Sequence, residues 1–286
     1  MRVWVPGAKG QVGQVLLEEL SKSGIDCFGS SHKEIDIADA RAVDAAIQGV
    51  SHIINAAGFT QVDPAEIHRE EAYLANVKGP ELLAKAAKRE NIRLIHISTD
   101  YVFDGMKDRP YREDDEPRPV NWYGVTKREG EIRVMQHHPD ACIVRVSWVF
   151  GGSGRRHYAS TILEAIQNQK EIRFVDDQRG SPTYAFDFAK ALISLLDESG
   201  IYHYCNQGCI SKYAFACEVL RLAKEKSYPI ICEKISPILS SEFPSLAKRP
   251  LYTPLDTSKI EKIAPIRSWQ EGLEEFFFRT LVHDLR

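Results

Sequence analysis

Up to about residue 150 the chain alternates between two rhythms of apolar and polar positions. Short apolar runs at Arg2–Val5, Asp26–Gly29, His52–Asn55, Arg93–Ser98 and Cys142–Ser147 read as strands. Between them apolar residues recur at helical spacing, as with Val12, Val15, Leu16 and Leu20 inside Gln11–Ser23. Further helices are predicted over Asp39–Gln48 and over the Ala- and Leu-rich stretch Glu66–Glu90, with Lys and Glu on its exposed face. Parallel neighbours need long crossovers, so strands separated by such helices predict βαβ units. The expected fold is α/β, a Rossmann-type doubly wound parallel sheet.

After Trp148 the elements shorten and prolines gather at positions 182, 229, 237, 244, 250 and 254. Helices are predicted at His157–Gln167, Phe186–Leu196, Lys212–Lys224 and Trp269–Leu281, and strands at Ile172–Val175, Ile201–Cys205 and Ile230–Lys234. A smaller α/β region packed on the first is expected. The division is residues 1–147, joined by about 183–204, against 148–286. The charged, Pro-rich segment Lys107–Val120 reads as a long surface loop.

Composition narrows the partners. The 286 residues carry 37 Lys and Arg against 40 Asp and Glu, a net charge of -3. Such a balance attracts neither nucleic acid nor an anionic membrane in bulk, so any phosphate ligand needs a local site. No stretch approaches the roughly 20 apolar residues of a spanning helix, and Met1–Gly7 does not read as a signal peptide. The six cysteines form no CxxC pair, and Cys205 and Cys209 near His203 make a poor ligand spacing. A reducing, cytoplasmic setting is expected, with no metal site and no nucleic-acid or membrane partner.

The first candidate chemistry lies between the first strand and the first helix, in Gly7-Ala8-Lys9-Gly10-Gln11-Val12-Gly13. A glycine turn there lets the chain double back, brings backbone close to a pyrophosphate and points helix N–H groups at the anion. Its GxxGxxG spacing fits a short-chain dehydrogenase style of dinucleotide site. No acidic residue ends the second strand, and Ser30-Ser31-His32-Lys33 suits a 2′-phosphate. NADPH is therefore favoured, with NADH as the alternative. Asp36-Ile37 is placed to border the adenine, and a helix-capping role would account for it as well.

Tyr123 and Lys127 stand at i and i+4 on a predicted helix, so both can face one cleft. A phenol with a pKa near 10 serves in proton transfer when a neighbouring cation stabilises its phenolate. The third member is expected at the end of the fourth strand, where Ser98-Thr99-Asp100 stands; open α/β sheets bind ligands at that end. Trp148 follows the fifth strand, where a flat apolar ring stands at the ligand-binding end of the sheet. Ser98, Ser147, His96, His203 and Asp187 could suggest a hydrolase, but no GxSxG elbow accompanies them.

Longer strings make a more specific match. GAKGQVG, NAAGFTQVDPAE, HISTDYVFDG, YGVTKREGE, VRVSWVFG, DDQRGSPTYA and KRPLYTPLDTSKI span nearly the whole chain. The sequence resembles the dTDP-4-dehydrorhamnose reductases, a family of extended short-chain dehydrogenases/reductases. The resemblance implies an enzyme that reduces the C4 keto group of a dTDP-sugar. In it Gly10, Gln11 and Val12 contact the cofactor phosphates, Asp36 and Ile37 the adenine, and Gly58, Phe59 and Thr60 line the cofactor. Tyr123 is then the proton donor, Lys127 its partner and Thr99 the residue tuning it, while Thr99, Asp100 and Trp148 contact the sugar nucleotide.

The family context also implies a homodimer and, in some members, Mg²⁺ at the interface, for which the sequence marks no ligand cluster. Three departures stand out: Pro6 at the end of the first strand, Phe59 where a polar aromatic or His is common, and Arg155-Arg156-His157-Tyr158 where the last two are commonly Asn-Phe. The chain is also similar to the non-catalytic regulatory β subunit of methionine adenosyltransferase. Reduction of another nucleotide-linked 4-keto sugar is a third reading.

Overall fold

The computed structural model describes residues 1–152 and 157–284. Its first half runs β1 (Arg2–Pro6), α1 (Gln11–Lys22), β2 (Asp26–Ser30), α2 (Ala40–Ala46), β3 (His52–Asn55), α3 (Val62–Ile67) and α4 (Arg69–Tyr73). A π-helical turn, Leu74–Lys78, leads into α5 (Gly79–Arg89), then β4 (Arg93–Thr99), α6 (Trp122–His137) and β5 (Cys142–Val146). The second half holds β6 (Val149–Phe150), α7 (Tyr158–Asn168), β7 (Glu171–Val175), β8 (Arg179–Gly180), β9 (Thr183–Tyr184) and α8 (Ala185–Ser194). It closes with β10 (Gly200–Tyr204), β11 (Ile210–Ser211), α9 (Lys212–Glu225), β12 (Lys234–Ile238) and α10 (Trp269–Asp284).

The central sheet has six strands in the order β10-β5-β4-β3-β1-β2, all parallel. Side chains alternate faces along a strand, and here both faces are covered. Val3, Val5, Ile54, Ile95 and Val144 enter one core, with α1 and α8. Their neighbours Trp4, Ile53, Leu94 and Ile143 enter the other, with α2 and α5. This is the physical content of the continuous apolar runs in the sequence. The chain winds outward from β1 to β2 and then crosses to β3 on the other side. That reversal opens a crevice at the C-terminal strand ends, where doubly wound sheets bind ligands.

Three elements differ from the sequence expectation. The helix expected over Glu66–Glu90 is interrupted by the π-turn, which turns Asn76 inward; periodicity alone does not register one extra residue per turn. The strand expected at Ile230–Lys234 lies at Lys234–Ile238, paired in parallel with β7. Ile231 and Cys232 instead donate backbone N–H groups to Ile166 O at the end of α7, and Pro237 is tolerated because β12 has only one partner strand. The segment Lys107–Val120 is not wholly on the surface: Tyr111 is buried and stacked on Phe103 at 4.2 Å. Pro6 ends β1 without breaking a ladder bond, because its carbonyl still accepts from Ala56 N at 3.0 Å.

Candidate active site

At the crevice the chain forms a cleft of about 820 Å³, lined from both halves by Gly10, Thr99, Tyr123, Lys127, Trp148 and Arg249 among others. The glycine turn is built as the sequence predicts. Gly7 has φ 82°, and a Cβ there would fall 2.5 Å from Ala57 N, so no larger residue fits. Gly10 caps α1 without any side-chain hydrogen bond, and no acidic residue stands in the first helical turn. The first amides of a 12-residue helix are thus left for an anion. This arrangement fits a dinucleotide pyrophosphate. Gln11 also lines the cleft, and its Nε2 donates to Val149 O and Gly151 O at 3.2 and 2.9 Å. Its backbone remains to face a phosphate.

The end of β2 also differs. Glu34 folds back onto it, its Oε2 accepting from the Ser31 N–H and from the Ser31 hydroxyl, both at 2.7 Å. These bonds hold the Glu34 carboxyl at about 2, helped by Lys9. Asp36 accepts from Ala38 N at 2.9 Å, a local turn, and Ile37 is buried against Gly79. Neither lines the cleft. Gly58 and Thr60 do line it. Phe59 is turned aside, its backbone N–H donating to Asn76 Oδ1 at 2.8 Å and its ring 6.5 Å from His68.

Tyr123 and Lys127 sit on one face of α6 as their spacing requires. The helix can lie this deep because residue 130 is glycine: a Cβ there would fall 2.1 Å from Asn76 O. Asn76 in turn donates to Phe59 O and Thr126 Oγ1, tying the loop after β3 to α6. Burial pushes the Tyr123 phenol up to about 12, against a smaller downward pull from its hydrogen bond with Thr99. Lys127 Nζ donates to Ile97 O at 2.6 Å, and burial lowers it to about 8 while Glu131 pulls upward.

Asp100 lies beneath Thr99 with both oxygens occupied. Oδ1 accepts from Thr99 Oγ1 at 3.1 Å, and Oδ2 from Ser147 and Thr253 at 3.2 and 2.6 Å. Burial raises it to about 6 even so. Trp148 reaches the cleft from a left-handed backbone, φ 44°, which is uncommon for a bulky residue and marks a constrained position. Its ring meets Tyr158 edge-on at 6.1 Å. Of the departures noted in the sequence, Arg155 and Arg156 lie outside the described residues. His157 caps α7 by accepting from Ser160 N, and burial lowers it to about 4.

Sequence reasoning missed several cleft residues. Lys212 and Arg249 bring two cations to the wall beside Trp148. Arg249 is held by Asp63 through two hydrogen bonds, 2.9 and 2.5 Å, and Lys212 donates to Gln178 Oε1 at 2.5 Å. Behind Lys127, Glu131 accepts two hydrogen bonds from Arg145, at 2.8 and 2.9 Å, with neither side chain exposed beyond 1%. The signal existed: Glu131 is i+4 from Lys127, and Arg145 is a charge inside an otherwise apolar strand.

The residues that could suggest a hydrolase are scattered. His96 pairs with Asn55, His203 with Arg145 and Tyr111 O, and Asp187 with Asn206 and Arg267. Ser147 is bound to Asp100 instead of to a histidine. Among the described residues of the single chain, no group of three or more His, Cys, Asp or Glu is arranged to hold a metal ion.

A doubly wound sheet, a glycine turn at its reversal and a Thr-Tyr-Lys set at the neighbouring strand end define an extended short-chain dehydrogenase/reductase. The chain belongs to the family described as the RmlD substrate binding domain, whose model matches residues 1–281. It is 37% identical to the dTDP-4-dehydrorhamnose reductase of Mycolicibacterium smegmatis over 280 residues, covering 96% of this chain and 84% of that protein. A crystal structure of a Clostridium acetobutylicum dTDP-4-dehydrorhamnose reductase matches with a TM-score of 0.92, 33% identity and coverage of 98% and 100%. One of the Bacillus anthracis enzyme in complex with NADP matches with a TM-score of 0.91, 34% identity and coverage of 97% and 99%.

Proposed function

We propose that this chain is a dTDP-4-dehydrorhamnose reductase that uses NADPH. The observation carrying this reading is the convergence of Thr99, Tyr123, Lys127 and Trp148 on one cleft with the glycine turn at its other side. Residues 1–147, with about 183–204, would hold the dinucleotide and 148–286 the sugar nucleotide. When bound, NADPH supplies the hydride to C4 of dTDP-4-dehydro-β-L-rhamnose. The residues handle the proton. Tyr123, neutral at physiological pH because burial holds its phenol high, donates to the oxygen at C4 as negative charge develops there. Lys127 offsets the charge left on the phenolate, and Thr99 orients the phenol. Trp148 covers the deoxysugar. Arg249 and Lys212 are placed for the substrate diphosphate.

The six free cysteines support a reducing compartment, the cytoplasm. The homodimer implied by the resemblance belongs to the same reading and is checked by sedimentation. The test of function is NADPH oxidation with the dTDP-4-keto sugar generated in situ. Turnover with that substrate supports the assignment; turnover only with another nucleotide-linked 4-keto sugar, or none with any, overturns it. The intact Thr-Tyr-Lys set argues against a non-catalytic subunit.

Two predictions arise here. Lys127 must be cationic to stabilise the phenolate, and its pKa is lowered to about 8. Activity is therefore full below that value and falls as pH rises through it, where an ordinary lysine would hold to about 10.4. In a pH profile of kcat/KM this gives an alkaline limb near 8, and a plateau reaching past pH 10 would contradict it. Arg249→Met should raise the KM for the nucleotide sugar by about ten- to a hundredfold, the scale of a lost charge-assisted hydrogen bond. NADPH affinity should stay unchanged. Titration with dTDP alone isolates the effect, and native dTDP affinity in the variant would remove Arg249 from the diphosphate site.

A further inference from the structure

The end of β2 is where a doubly wound fold reads the adenosine ribose of its cofactor, through an acidic residue for a free diol or cationic donors for a 2′-phosphate. Both kinds of group converge here on one spot. Ser31 directly follows β2, and the strand end is welded to the glycine turn: Gly7 N and Ala8 N both donate to Ser30 O, at 2.9 and 3.0 Å. Facing that junction, the Ser31 N–H, the Ser31 hydroxyl and Lys9 Nζ form a donor set suited to an anion. The chain's own carboxylate already occupies it. Glu34 Oε2 takes both Ser31 donors, and Glu34 Oε1 accepts from Lys9 at 3.3 Å.

A carboxylate and a phosphate cannot share those donors. We infer that Glu34 is a specificity-determining residue for the cofactor's 2′ position, competing with the 2′-phosphate for Ser31 and Lys9. With Glu34 seated, the strand end offers an acceptor to a bare ribose diol, as in an NADH site. A 2′-phosphate enters only when Glu34 swings away and leaves the serine and lysine donors to it. The chain thus takes both cofactors, and its preference for NADPH is held below what the donors alone would give. His32 does not remove the conflict, since it lies 3.4 Å from Asp36, itself an acid. The side chains of Lys9 and Glu34 are 70% and 55% exposed, so the carboxylate is free to move. The spacing was legible in retrospect, since Glu34 follows the glycine turn by about the 20 residues at which such an acid is expected. It escaped notice because it lies beyond the strand and is returned to it only by the turn.

This inference rests on the reading that a dinucleotide binds at the glycine turn, and the experiment separates the two. Dissociation constants are measured by titration calorimetry for NADPH, NADH, ADP-ribose and 2′-phospho-ADP-ribose with the native protein, Glu34→Gln and Lys9→Met. Glu34→Gln should shift the ratio of NADPH to NADH affinity toward NADPH by about tenfold, because a like-charge clash and a competitor are removed together. Lys9→Met should shift it the other way, and the ADP-ribose pair should repeat both shifts without any redox chemistry. A ratio in Glu34→Gln within about twofold of native would overturn the competition, leaving Glu34 a turn cap whose loss lowers thermal stability alone. Failure of the native protein to bind any of the four would overturn the dinucleotide reading and this inference with it.

Discussion

Tyr123→Phe is expected to lower kcat with the dTDP-4-keto sugar by about 10²–10⁴-fold, the usual contribution of a positioned proton donor. The phenyl ring fills the same half-buried space beside Tyr101, at 5.8 Å, so the fold should stand. NADPH binding should also be spared, because the glycine turn and α1 do not depend on the hydroxyl. Single-turnover mixing with saturating NADPH reads the chemical step directly. Unimpaired turnover would remove Tyr123 from the mechanism, and a loss confined to NADPH affinity would make it a binding residue only. Mixing experiments across pH add a check. The tyrosine is held high, so the neutral phenol persists through the range in which Lys127 titrates. The alkaline limb therefore belongs to the lysine.

Arg145→Ala is expected to cost about 3–5 kcal/mol of stability, because it leaves the Glu131 carboxylate buried without its main partner. Glu131 is fully buried, and its low pKa of about 2 reflects Arg145, its hydrogen bonds and Arg128 overcoming desolvation. Arg145 also stacks over Phe103 at 5.1 Å and faces His203 Nε2 at 3.3 Å, and burial together with that cation keeps the imidazole neutral. Urea unfolding with matched m-values measures the loss. The double variant Arg145→Met/Glu131→Leu should recover much of it, since exchanging a buried pair for apolar volume removes both desolvation costs. If the single variant were as stable as the native chain, the pair would be energetically idle. The double variant has a second reading: without Glu131 the cation at Lys127 loses its upward pull, so the alkaline limb should move below pH 8.

Much of the fold was legible because its signals are local. The alternation of strand and helix in the first half follows from side-chain periodicity, and the glycine turn from backbone geometry that only glycine meets at Gly7. Tyr123 and Lys127 share a face because a helix repeats every 3.6 residues. What periodicity missed was non-local. The π-turn at Leu74–Lys78 exists to aim Asn76 at Phe59 and Thr126, and neither partner is near it in the chain. Arg249 and Thr253 come from the Pro-rich second half, yet they meet Asp63 and Asp100 from the first. No spacing rule links residues so far apart.

By itself, then, the sequence determined the alternation of strands and helices, the glycine turn and the shared helix face of Tyr123 and Lys127, each set by contacts a few residues long. Tertiary structure decided which charges face the crevice. It enclosed Asp100 among three hydroxyls, turned Gln11 toward β6, brought Lys212 and Arg249 to the wall beside Trp148, and returned Glu34 to the end of β2. The reason is physical: a charge acts through distance and burial, and both are properties of the packed chain.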